Sequence, residues 1–152
     1  MSELTPRQQW MAVLAKAPLA DLEAQVAACG DLPAYRFLRS PQTGLAMVRG
    51  RAGGTGEPFN LGEITLTRCV VQLEIPGDRP DLGFGYVAGR CHRHAELAAL
   101  CDALIQHPQW RDSVHTQVVE PLGALAHTRQ TETAQQTAAT RVNFFTLRRG
   151  ES

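Results

Sequence analysis

Lysine is almost missing from this chain: Lys16 is the single one among 15 basic residues, and 15 acidic residues cancel them all. A formal charge of +0 provides no global field to draw the protein to nucleic acid or to an anionic membrane, so any anion it meets has to be held locally. The four cysteines, Cys29, Cys69, Cys91 and Cys101, contain no CxxC pair, and the start shows no charged, apolar and then small-residue leader. No apolar run approaches the roughly 20 residues that cross a bilayer. A soluble cytoplasmic protein with free thiols is the expectation. The recognisable catalytic signatures are also missing: no HExxH, no GxSxG elbow and no Walker ending of Gly-Lys-Ser/Thr.

What is there is arginine. Its planar fork suits interface ion pairs and phosphate, although a GC-rich coding bias leaves the same trace. The 152 residues are enough for one domain with its own core. Thr5, Pro6 and Gln8 form a capping-box pattern with proline at the first helical position, so a helix starts there with Trp10, Val13, Leu14 and Ala17 inward. A second follows Pro18, with Leu19, Leu22, Val26 and Cys29 on its apolar face and Gly30 as its C-terminal cap.

From Tyr35 to Tyr86 the pattern becomes strands and turns, placed near Tyr35 to Arg39, Leu45 to Arg51, Glu63 to Ile75 and Gly83 to Ala88. Within the third, Ile64 and Leu66 share one parity and Cys69, Val71, Leu73 and Ile75 the other. A bulge near Arg68 or burial on both faces accounts for that. Helical spacing returns from His92 to Gln106, with His94, Leu97, Leu100, Cys101, Leu104 and Ile105 on the apolar side and His92, Arg93, Glu96 and Asp102 on the polar side. A short helix around Trp110 to Val119 and a longer one from Leu122 to Arg141 complete the chain, before an apolar knot of Val142, Phe144, Phe145 and Leu147. The expected fold is α+β, a mainly antiparallel sheet with helices on one face. Residues 1–121 form the core and 122–152 an arm that needs a partner.

Arg51, Gly53, Gly54, Thr55, Gly56 and Glu57 are the most unusual segment, since three glycines in four residues let backbone N–H groups converge on an anion. A tight strand connection explains them equally well. Thr65, Thr67 and Arg68 on the next strand either complete an anion site or make a cross-strand threonine pair. Gly89, Arg90 and His94 lie where a strand enters a helix, a place that favours anions, with Arg90 the natural contact. His94 is either a core histidine bonded to a neighbouring strand or a catalytic one. Cys91, His92 and His94 are poor zinc ligands as a set, because His92 and His94 point about 200° apart on a helix.

Four stretches, RQQWMAVLA (7–15), TGLAMVRGRAGGTGEPFNLGEITLTR (43–68), LGFGYVAGRCHRHAELAALCDAL (82–104) and RVNFFTLRRG (141–150), together resemble the G-subunit family of bacterial carbon-phosphorus lyase. The resemblance implies a core complex with two copies each of G, H, I and J subunits, and with L required alongside. That assembly displaces adenine from ATP with a phosphonate at a nucleosidase-like site on the I subunit. An iron-sulfur cluster and S-adenosylmethionine belong to the J subunit, and no cofactor to this chain. On that resemblance the expectation is an accessory, non-catalytic subunit. Arg51, Gly53, Gly54, Thr55, Gly56, Arg68, Arg90 and His94 are candidates for an anionic site, and Trp10, Arg141, Phe144, Phe145 and Arg148 for interfaces. A free-standing nucleotide-binding enzyme built on the glycine loop is the alternative reading.

Overall fold

The computed structural model describes residues 4–77 and 80–140. Helix α1 (Pro6–Lys16) opens with the capping box: the Gln8 N–H donates to Thr5 Oγ1 at 3.4 Å and the Thr5 N–H to Gln8 Oε1 at 2.8 Å. Pro18 separates it from α2 (Leu19–Ala28), beyond which Gly30 takes a positive φ of 75°.

Strand β1 runs unbroken from Tyr35 to Arg51, where two strands were expected. Proline at 41 does not end it, because β1 is the outermost strand and two register shifts, between Phe37 and Arg39 and between Arg39 and Gln42, absorb the missing donor. Strand β2 (Pro58–Leu73) starts five residues earlier and stops two earlier than anticipated, and β3 (Leu82–Ala88) follows. The sheet is wholly antiparallel in the order β1-β2-β3.

The parity change in β2 has neither of the two anticipated causes. The bulges opposite Arg68 to Val71 lie on β1, not β2, and Ile64 is 44% exposed rather than buried. Thr67, Cys69, Val71 and Leu73 face the helices, while Ile64 belongs to a part of the hairpin that β3 never reaches. Pairing of β2 with β3 covers only Leu66 to Gln72, so the far halves of β1 and β2 form a two-stranded ribbon.

Helix α3 (His92–Gln106) lies across β2 and β3, and its buried run extends from His94 to Ile105, broken only by the partly buried Glu96. Two glycines of β3 admit this helix. A Cβ on Gly83 would stand 1.9 Å from the Ala99 carbonyl oxygen, and one on Gly85 2.0 Å from that of Ala95, so both positions have to be bare. Asp102, expected on the polar side, is fully buried. Leu14, Leu22, Val114, Val118 and Leu122 form the layer on the other side of α3.

After Pro108 the chain is one helical rod, not the two separate helices anticipated. Helix α4 (Pro108–Val114) passes through a π-turn (His115–Val119) into α5 (Glu120–Ala139). Pro121 has no N–H for the Gln117 carbonyl and its ring crowds that turn, and the ladder widens there, with the Glu120 N–H reaching His115 O. Beyond Gly123 every residue of α5 is exposed, and Thr128, Thr131, Thr133 and Thr137 return their hydroxyls to carbonyls four residues back. The architecture is α+β, with the helices on one face of an antiparallel sheet and a long C-terminal helix.

Candidate functional site

The passage from β3 into α3 is the most polar junction of the fold. Gly89, at φ 95°, donates its N–H to Thr65 O at 2.8 Å, and the Thr67 hydroxyl donates to Gly89 O at 2.6 Å. With that proton spent, Thr67 Oγ1 accepts from Thr43 Oγ1 at 3.1 Å, and Thr43 in turn accepts from His92 Nε2 at 3.2 Å. This chain of donors fixes the His92 tautomer and joins β1, β2 and α3. Cys91, at the N-cap of α3, makes no side-chain cap, so the first N–H groups of the helix stay open. Beside them, Arg90 lines an open hollow of about 400 Å³ with Thr43, Gly44, Leu45 and Thr65. A guanidinium and the Thr65 side chain at one hollow, two residues before α3 begins, make a setting for an anion.

The other residues anticipated for an anionic site do not converge there. Arg51 to Gly56 form the tip of the ribbon: a tight turn in which Thr55 N and Gly56 N both donate to Ala52 O and Arg51 Nη1 to Gly56 O. Gly53 and Gly54 have φ of 60° and 80°, so the turn itself calls for glycine. Arg51 lies seven residues beyond Gly44 on β1, roughly 23 Å at the rise of a strand. Arg68 is exposed on the sheet face opposite to buried Thr67.

His94 is 7% exposed, with Nε2 2.8 Å from Leu14 O. The residue four places after Leu14 is Pro18, which has no N–H, so the imidazole donates the bond that α1 cannot make for itself. The neighbour of His94 is thus a helix end, not the strand anticipated. Trp10 donates its indole N–H to Asp102 Oδ1 at 2.9 Å and keeps one side in an open groove of about 740 Å³ with Pro6, Ile105, His107 and Arg111. Arg141, Phe144, Phe145 and Arg148 lie outside the described residues.

Asp102 is the group that the sequence reading missed. Its carboxylate accepts from Arg7 Nη2 at 2.7 Å, Arg7 Nε at 3.2 Å, Trp10 Nε1 at 2.9 Å, Phe84 N at 3.0 Å and Gln106 Nε2 at 3.3 Å. Five donors around one buried carboxylate hold α1, α3 and β3 together and leave it no free lone pair for chemistry. A helical wheel puts a carboxylate in water by default; the arginine and tryptophan at an i, i+3 spacing on α1 were the available signal. The thiols are equally reserved. Burial pushes Cys101 up to about 12 and, aided by the charge of Glu96, Cys69 up to about 11, so both stay protonated and unreactive at neutral pH.

Comparison with known proteins gives the family of the chain. A family described as "Phosphonate metabolism protein PhnG" matches residues 5–150. A relative from Rhizobium meliloti (strain 1021), named as alpha-D-ribose 1-methylphosphonate 5-triphosphate synthase subunit PhnG, is 43% identical over 148 residues, covering 95% of this chain and 90% of its own length. With the match running from the α1 capping box past the end of α5, the chain belongs to the PhnG family of phosphonate metabolism proteins.

Proposed function

We propose that this chain is an accessory, non-catalytic subunit of a ribose 1-methylphosphonate 5-triphosphate synthase, and that residues 122–152 serve as its docking arm. The observation that carries this reading is the 43% identity, along almost the full length of both chains, to a protein named as a subunit of that synthase. The chemistry of the chain supports it: Asp102, His94 and Thr67 are committed to internal hydrogen bonds, and Cys69 and Cys101 to their protons.

In this reading the partners are the H, I and J subunits, two copies of each, with L acting alongside. ATP is a substrate of the assembly, adenine leaves at the I subunit, and the iron-sulfur cluster and S-adenosylmethionine are held by J. Arg90, with Thr43 and Thr65, is the place where this chain touches an anionic substrate or an acidic partner group; Arg68 and the 51–56 tip act elsewhere. Adenine release from ATP and methylphosphonate by the reconstituted assembly tests the proposal. Omission of this chain should abolish release, and Arg90→Ala should lower it about tenfold or more while the assembly still elutes intact. Release at the full rate without this chain, or turnover of ATP by this chain alone, would refute it.

A further inference from the structure

The sheet ends differently on its two sides. At β3 the border is closed: the Phe84 N–H is taken by Asp102 Oδ2 at 3.0 Å and the Leu82 carbonyl by Gln106 Nε2 at 2.7 Å, with Arg7 of α1 stacked on the Phe84 ring at 5.5 Å. At β1 no further strand follows, and among the described residues no side chain takes the outer N–H or C=O groups from Gly44 to Val48. A long bare strand edge is a template for another strand, and native proteins usually blunt one with charge, proline or a bulge. The half of β1 before Gln42 has such devices, Arg36, Arg39, Pro41 and two register shifts; the stretch from Gly44 to Val48 has none, and the shift that follows it, between Val48 and Arg49, has its extra residue on β2.

The first half of β1 exposes Phe37 and Leu38, and the second half, with the β2 residues beside it, exposes more. Leu45 is 66% exposed, Met47 52%, Leu61 61% and Phe59 47%, all on a ribbon that a two-stranded pairing alone stabilises only marginally. The β1 side of the ribbon has charge of one sign, while β2 sets Glu63 opposite Met47. From Leu32 to Gly56 the chain has no carboxylate and four arginines, Arg36, Arg39, Arg49 and Arg51, and no ion pair to a carboxylate engages any of the four among the described residues. A second copy would bring only the same arginines and no carboxylate of β1 to this border, and the like charge gathered there disfavours a homodimer.

We infer that the outer edge of β1 from Gly44 to Arg51 receives an extended, acidic segment of another subunit of the synthase, which adds a fourth strand to the sheet. Backbone hydrogen bonds supply the attachment, Leu45 and Met47 the apolar contact, and carboxylates opposite Arg49 and Arg51 the choice of partner. The inference rests on the accessory-subunit reading, and hydrogen exchange on the full chain, free and within the reconstituted assembly, tests it. Peptides from Gly44 to Arg51 should slow about tenfold or more on assembly. Arg49→Glu and Met47→Thr should each weaken assembly about tenfold without lowering the melting temperature of the free chain, since neither side chain is buried and threonine suits a strand opposite Glu63, whereas Arg49→Lys should retain most of it.

If the assembly forms but exchange at Gly44 to Arg51 is unchanged, or if both variants assemble normally, the edge is not the docking site and the inference fails while the subunit reading stands. If the free chain is a dimer in sedimentation and its dissociation releases exchange at this segment, the occupant is a second copy and the inference also fails. Failure of the unaltered chain to assemble at all would overturn the subunit reading itself, and this inference with it.

Discussion

His94 completes a hydrogen bond that Pro18 leaves open, so its loss should register first as stability. His94→Ala should lower the free energy of urea unfolding by about 1–3 kcal/mol, the cost of a buried unsatisfied carbonyl, and any loss of activity should disappear at low temperature where the variant is folded. Asp102→Ala should cost more, about 3 kcal/mol or above, because it strands Arg7, the Trp10 indole and the Phe84 amide together. The thiols predict a pH dependence. Cys101 and Cys69 titrate well above their ordinary 9.0 in the folded chain, so the unfolded chain gives up protons first as pH rises. Their contribution is complete below about pH 9 and is lost progressively between about pH 9 and pH 12. Cys101→Ala should flatten the decline of urea midpoint over that window, measured against the unaltered chain.

At the scale of elements, the sharpest expectation concerns the contact of β3 with α3. Gly85→Ala should destabilise by about 3 kcal/mol, the upper end for overpacking, because the obstacle is helix backbone that no rotamer change can move. Thermal unfolding followed by circular dichroism measures it. Helix α1 was legible because Thr5, Pro6 and Gln8 act within one turn, and α3 because a buried stripe repeats at helical spacing. The continuity of β1 was not, because whether Pro41 ends a strand depends on whether its nitrogen faces a neighbour, a fact about the sheet and not about the residue. The same holds for the rod after Pro108: Pro121 reads as a stop, yet a π-turn accommodates it. At the candidate site, Arg90 could be placed from the strand-to-helix transition alone, whereas the separation of the glycine tip from it could not. That distance is set by how far β3 extends along β2. Helix α5 beyond Gly123 buries no side chain, its Arg129 reaching Asp21 of α2 at 2.7 Å, and its amides should exchange in the free chain far faster than those of α3, which exchange only on global unfolding.

At the scale of the whole molecule, the ribbon and the exposed part of α5 contribute no side chain to the core that α3 organises. Asp102, His94, Thr67, Cys69 and Cys101 are spent on the fold itself, while the ribbon and α5 turn outward. Helix α5 shows where that leads. Its threonines point their hydroxyls at their own carbonyls, so what they offer outward, between the alanines, is methyl groups. A segment counted as polar from its letters thus sets methyl groups among the exposed Arg129, Gln130, Glu132, Gln135 and Gln136, so that a helix settling on it would meet hydrocarbon and hydrogen-bonding groups by turns.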